Sequence, residues 1–317
     1  MRALITGITG FAGQHLTEHL IASGDQVLGS THLNQWTLDV APNMRRQVRL
    51  FEWDIAEPIS GEALDTVRQF APDCIYHLAA ISVPAQCGSS QPGSLARKVN
   101  VEGTAAVIQL ARSLDMPARV LFVSSAHVYA PVSPENPVVS EESPLGPTGG
   151  YGKTKLQAEE VCQQAIDAGM DIVIARAFQH SGPRQLPMFM LPEWAQQFAA
   201  PDEQPIRVVT LDSCMDLSDV RDVVRAYRLL VSRDAIRGIY NVGRGKSVRS
   251  RDVFDELMRL SGQRRQVVQR SPGFRQHPIA DISRLVRATQ WSPRIPLERT
   301  IADTLASFQA RVGHNGD

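Results

Sequence analysis

The chain opens with an apolar run, Arg2-Ala3-Leu4-Ile5, that passes straight into Thr6-Gly7-Ile8-Thr9-Gly10-Phe11-Ala12-Gly13. Three glycines spaced three apart between a strand and a helix leave few folds open. Gly7 lets the chain turn sharply, Gly10 lets backbone approach a phosphate, and Gly13 lets helix and strand pack closely. The helix beginning there offers unpaired N–H groups and a partial positive charge to an anion. Three glycines can also simply close a turn. The apolar strand before them and the amphipathic helix after them favour a dinucleotide pyrophosphate cradle, with Thr9, Phe11 and Ala12 inside the same turn.

Strand-like runs at 3–5, 26–29, 48–51, 74–76, 120–123 and 171–175 alternate with helical patterns at about 12–23, 62–70, 95–114 and 151–168. That alternation predicts an α/β fold, a doubly wound parallel Rossmann sheet covered on both faces. Beyond Arg176 the pattern loosens, with prolines at 183, 187, 192, 201 and 205. The expected division is a dinucleotide-binding domain over 1–176 and a smaller C-terminal mixed α/β substrate domain over 177–317, with some segments returning to the sheet. The smaller part would cap the carboxyl edge of the strands, where such sheets bind ligands.

Of 317 residues, 43% are hydrophobic and 21% charged, enough apolar content for a sizeable core. Thirty-three basic residues balance thirty-three acidic ones, giving no support for nucleic acid or an anionic membrane as partner. No run approaches membrane-spanning length. Four scattered cysteines (74, 87, 162 and 214) read as free thiols in a reducing compartment. The immediate start into strand and glycine turn leaves no room for a signal peptide, so the cytoplasm is the expected location. No metal-ligand set is expected.

Tyr151 and Lys155 stand four apart, so on a helix they share one face. A tyrosine titrates near 10 and is a poor base at neutral pH. A nearby ammonium is expected to stabilise its phenolate. Ser125, closing an apolar strand, could hydrogen-bond the same substrate oxygen. The three suit proton transfer beside a hydride carrier. The second strand runs on into Gly29-Ser30-Thr31-His32, without the carboxylate that holds a ribose 2′-hydroxyl. The cofactor is therefore read as NADP or NAD, the missing carboxylate favouring NADP, with Thr31 at that end of the site and Arg45 or Arg46 as candidates to reach a 2′-phosphate.

These motifs resemble those of the extended short-chain dehydrogenase/reductases acting on nucleotide sugars, the NAD-dependent epimerase/dehydratase family. The resemblance runs through Asp54-Ile55, His77-Leu78-Ala79-Ala80, Asn100 to Thr104, Ser124 to Tyr129 and Tyr151 to Lys155. Phe178-Gln179-His180-Ser181-Gly182-Pro183, Asp219-Val220-Arg221-Asp222 and Trp291 to Glu298 are most similar to the GDP-6-deoxy-4-keto-mannose reductase and GDP-mannose 4,6-dehydratase branch. The resemblance implies that Asp54 and Ile55 bracket the adenine and that Leu78, Ala79 and Ala80 line the cofactor. It implies that Asn100, grouped with the cofactor-binding residues, stabilises the helix or a relay beneath the active site, that Lys155 binds the nicotinamide ribose, and that Ser125, Tyr151 and Lys155 are catalytic. It further implies a nucleotide-sugar substrate and a homodimer joined through a four-helix bundle.

The chain departs from that pattern in places. Dehydratases of the family place acidic residues where this chain has Ala126 and His127, which argues against dehydration. Gln179 stands for an asparagine and Met215 for an arginine, and another arginine is replaced by Ser271 or displaced to Arg270. A diphosphate needs charge-assisted donors; Arg207, Arg270 and Arg275 are the candidate replacements, and His127 and Gln179 are further substrate-binding candidates. The leading expectation is reduction of the 4-keto group of a nucleotide-activated 6-deoxyhexose. The alternatives are a UDP-hexose 4-epimerase, then a nucleotide-sugar 4,6-dehydratase, then a non-catalytic cofactor-binding regulatory module.

Overall fold

The computed structural model describes every residue except 34, 37–39, 41, 233–235 and 315–317. The first part of the chain forms β1 (Arg2–Thr6), α1 (Phe11–Ala22), β2 (Gln26–Thr31), α2 (Pro42–Gln47), β3 (Arg49–Glu52), α3 (Gly61–Phe70) and β4 (Cys74–His77). It continues through α4 (Ser94–Arg97), α5 (Gly103–Arg112), β5 (Arg119–Ser125), β6 (Val138–Val139), α6 (Gly150–Asp167) and β7 (Ile172–Ala177). After these come β8 (Gln179–Ser181), α7 (Met190–Ala199), β9 (Ile206–Val208), β10 (Ser213–Asp219), α8 (Val220–Val231) and β11 (Gly238–Val242). The chain ends with β12 (Ser247–Arg249), α9 (Ser250–Ser261), β13 (Val267–Gln269), β14 (Arg275–Gln276), β15 (Ile279–Ala280), α10 (Ser283–Thr289) and α11 (Leu297–His314).

Seven strands make one parallel sheet in the order β11-β7-β5-β4-β1-β2-β3. Ala3, Leu4 and Ile5 of β1 are fully buried although they alternate between the faces, as a sheet covered on both sides requires. One face packs Ile5, Leu16 and Leu20 against Val223 and Tyr227. The other packs Leu4, Ile75 and Phe122 against Val107 and Ala158. The expected α/β doubly wound sheet is therefore the observed fold. The chain leaves β1 toward β2 and leaves β4 toward β5, so a crevice opens at their carboxyl ends, where Gly7 and Leu78 lie.

The C-terminal half is interleaved with the sheet. β11 pairs with β7, and α8 packs on the same face as α1. A separate apolar cluster of Leu191, Trp194, Phe198, Met215, Phe254 and Ile301 carries the second wall of the crevice. β10 anchors that wall, antiparallel to β12 and parallel to β8 and β14. The helix expected over 95–114 is broken by a π-helical turn at Lys98–Glu102, centred on the buried Asn100. No helix among the described residues is long and apolar enough to cross a membrane. All four cysteines are free thiols.

Candidate active site

A cleft of about 1430 Å³ runs from the glycine turn to the C-terminal wall. Single small-molecule pockets hold roughly 300–1,000 Å³, so this one has room for two ligands side by side. Gly7, Thr9, Gly10, Phe11, Ala12 and Gly13 line one end. Gly7 sits at φ +70°, and a Cβ there would lie 2.8 Å from the Ala79 backbone. A Cβ on Gly13 would lie 2.4 Å from the Gly7 carbonyl oxygen. α1 begins at Gly10 with no side chain capping it and no acidic residue in its first turn. Its N-terminal amides are thus left for an anion, and this cradle fits a dinucleotide pyrophosphate.

Farther along the same wall stand Ser30, Thr31 and His32 at the end of β2, opposite Trp53, Asp54 and Ile55 after β3. Thr9 Oγ1 lies 3.4 Å from Thr31 Oγ1 and ties the glycine turn to β2. Arg45 and Arg46, on α2, are exposed and do not line the cleft. Leu78, Ala79 and Ala80 follow β4 on the cleft floor.

Asn100, grouped by the resemblance with the cofactor-binding residues, does not line the cleft; it lies beneath it, almost completely buried. Its Oδ1 accepts from the Ile81 N–H at 2.8 Å, and its Nδ2 donates to the Ile81 carbonyl at 3.1 Å and to Thr154 Oγ1 at 3.0 Å. Thr154 in turn donates to the Tyr151 carbonyl at 2.7 Å. Asn100 therefore fixes the floor loop and the first turn of α6 rather than touching a cofactor.

Ser125, His127, Tyr151 and Lys155 converge at the middle of the cleft. Ser125 ends β5, and α6 presents Tyr151 and Lys155 on one face. Lys155 Nζ donates to the Val123 carbonyl at 2.9 Å and lies 5.0 Å over the Phe122 ring. Burial lowers Lys155 to about 8, so it is still largely an ammonium at neutral pH. Burial pushes the Tyr151 phenol up to about 12, with the Ser125 hydroxyl opposing the rise. The expected acidification of the phenol by the lysine is not what the folded chain shows: desolvation raises it, and the Ser125 hydroxyl is the group that opposes the rise. The phenol is therefore protonated at neutral pH.

The opposite wall carries Gln179, Met215, Arg275 and His277. Gln179 Nε2 lies 3.5 Å from His277 Nδ1, and its Oε1 is buried with no hydrogen-bond partner among the described residues. Two of the three candidate arginines are elsewhere. Arg207 is exposed between the buried Ile206 and Val208 on β9, so strand alternation points it away from the core. Arg270 is exposed and paired with Glu193 at 2.6 Å. Neither lines the cleft. Arg275 does, held at 3.0 Å to Ser271 Oγ, while Met215 is buried in the apolar cluster.

Sequence reasoning missed the support under this group. The buried Arg176 guanidinium binds Glu159 of α6, the Tyr129 hydroxyl and the Glu141 carbonyl. Ser124 donates to the same Glu159 carboxylate. An arginine inside an otherwise apolar strand, Ile172–Ala177, was the available signal, since a buried guanidinium requires a carboxylate.

Residues 3–243 match the model of the NAD dependent epimerase/dehydratase family. The chain belongs to this family. It is similar to the GDP-6-deoxy-D-mannose reductase of Pseudomonas aeruginosa, 27% identical, with 98% of both chains covered. It is also similar to UDP-glucose 4-epimerase 4 of Oryza sativa subsp. japonica, 26% identical over 95% of this chain and 88% of that one. The solved structure of RMD from Pseudomonas aeruginosa, complexed with NADPH, superposes with a TM-score of 0.81 at 27% identity, covering 98% of this chain and 100% of that one. The chain is thus an NAD(P)-dependent enzyme of the nucleotide-sugar reductase, epimerase and dehydratase superfamily.

Proposed function

We propose that this enzyme uses reduced NADP to reduce the 4-keto group of a nucleotide-activated 6-deoxyhexose, in the manner of a GDP-6-deoxy-4-keto-mannose reductase. The observation that carries the reading is the convergence of Ser125, Tyr151 and Lys155 in one cleft with the glycine turn. Such a group can protonate the oxygen that a reductase reduces, and it can also serve an epimerase. The full-length likeness to a GDP-6-deoxy-D-mannose reductase supports the choice of reductase.

The bound nicotinamide would supply the hydride. Tyr151 gives its proton to the substrate oxygen, Ser125 orients that oxygen, and the Lys155 ammonium stabilises the phenolate left behind. Gly7, Gly10 and Gly13 hold the pyrophosphate, and Thr9, Phe11 and Ala12 complete that turn. Thr31, Asp54 and Ile55 flank the adenosine, with Leu78, Ala79 and Ala80 beneath the cofactor. Ser30, Thr31 and His32 present no carboxylate to a 2′-phosphate, which supports NADP. Arg275 meets the substrate diphosphate, and the unpartnered Gln179 Oε1 accepts from a sugar hydroxyl.

The active form is read as a homodimer joined through α4, α5 and α6. Light scattering of the purified chain should give twice its 34.9 kDa mass.

Purified protein with NADPH and GDP-4-keto-6-deoxymannose should consume the reduced nicotinamide in step with substrate. The rival reading is a UDP-hexose 4-epimerase, supported by the likeness to the rice protein. Interconversion of UDP-sugars with no reduced cofactor added, and none consumed, would replace the reductase reading with that one.

A further inference from the structure

His127 converges twice on a single hydroxyl. Its ring Nδ1 lies 3.1 Å from Ser125 Oγ, and its backbone N–H donates to the same oxygen at 3.2 Å. The short 3-10 turn Ala126–Val128, capped by Ser125, enforces both contacts. A serine hydroxyl has one proton and two lone pairs. The backbone N–H takes one lone pair. If Nδ1 lacks a proton, the Ser125 hydroxyl points at it and is lost to the cleft. If Nδ1 carries one, it fills the second lone pair and the hydroxyl proton turns to the Tyr151 side, where the phenol lies within reach and a substrate oxygen would sit. No protein partner for Nε2 is found among the described residues, and the residue lines the cleft, which is open to solvent.

We propose that His127 is a positioning residue that turns the Ser125 hydroxyl toward the substrate and, when doubly protonated, passes a proton through it. In that step the Ser125 O–H proton moves to the substrate oxygen as the adjacent carbon accepts hydride. The Nδ1 proton of His127 then moves to Ser125, and solvent returns a proton to the imidazole. Ser125 ends as it began, and the route runs beside that of Tyr151.

Among the described residues, two titratable groups face the imidazole. Tyr151 of α6 meets it edge-on, with ring centroids 5.4 Å apart, and His277 approaches from the segment between β14 and β15. Lys155, one turn along α6, is turned to the Val123 carbonyl, and Arg275 acts on His277. The cleft walls packed around the imidazole desolvate it and, with His277, hold His127 below its ordinary 6.5, so the doubly protonated form belongs to the acid side.

The test has two arms, and the kinetic one rests on the reductase reading. Imidazole 15N NMR of the full chain should show that Ser125→Ala moves the His127 titration midpoint and the Nδ1 resonance, and that Ser125→Thr restores both. Identical His127 titrations in the wild type and Ser125→Ala would overturn the proposal whatever the substrate. In the kinetic arm, Tyr151→Phe with GDP-4-keto-6-deoxymannose and NADPH should keep a residual rate that falls about tenfold per pH unit above the His127 midpoint. That slope should vanish in Tyr151→Phe/His127→Gln and persist in Tyr151→Phe/His277→Gln. Equal slopes with and without His127 would also overturn it. An inactive wild type would sink the reductase reading alone, and the NMR arm would then decide this one.

Discussion

The Arg176 guanidinium meets the Glu159 carboxylate at 2.7 Å with both side chains almost wholly buried, and Ser124, the neighbour of Ser125, donates to the same carboxylate. This pair ties β7 to α6 and β5, the two elements that carry the proton-transfer group. Replacing Arg176 by Met leaves a buried carboxylate without its partner, at a cost of about 3–5 kcal/mol. Urea denaturation should show that loss, and Arg176→Met/Glu159→Leu should recover a good part of it.

Tyr151→Phe removes the proton donor but little volume. The rate of reduction should fall about 10²–10⁴-fold, the usual worth of a positioned acid. Affinity for NADPH, measured by calorimetry, should change little, because the glycine turn lies at another part of the cleft.

Gly13→Ala should separate binding from folding. Its Cβ would lie 2.4 Å from the Gly7 carbonyl oxygen, so the turn must shift. Such overpacking costs about 1–3 kcal/mol. Dinucleotide affinity should drop by roughly ten- to a hundredfold with the turn displaced, and the same titration calorimetry reads it.

Lys155 gives opposite pH signatures in stability and activity. Its folded value is about 8 against an ordinary 10.5. Between these values the unfolded chain binds more protons, so this residue makes stability rise with pH. Activity that depends on the ammonium should instead decline above pH 8, where the folded chain loses that proton. Urea midpoints from pH 7 to 10 should rise less steeply in Lys155→Met than in the wild type, and pH profiles of kcat/KM should show the falling limb.

Among the three candidate arginines only Arg275 lines the cleft. Arg275→Ala should raise KM for the nucleotide sugar by about tenfold or more, the worth of a charge-assisted hydrogen bond, with kcat nearly kept. Arg207→Ala and Arg270→Ala should leave KM alone. Steady-state kinetics on the three variants decides it.

Local chemistry along the chain was enough for the strand-helix alternation, the glycine turn and the shared face of Tyr151 and Lys155. Each is a short-range periodicity or a steric demand satisfied within a few residues. The chain alone also pointed to Ser125, since it closes an apolar run that can only be a buried strand. It could not place Arg207, Arg270 and Arg275, because three exposed guanidinium groups differ only in which wall their strands and loops join. Nor could it show that Arg176 and Glu159 pair beneath the site, or which groups Asn100 ties together there, since those partners come from separate elements. The protonation of Tyr151 was likewise a tertiary matter: spacing sets its distance from Lys155, but the dielectric around the phenol is set by every element packed upon it.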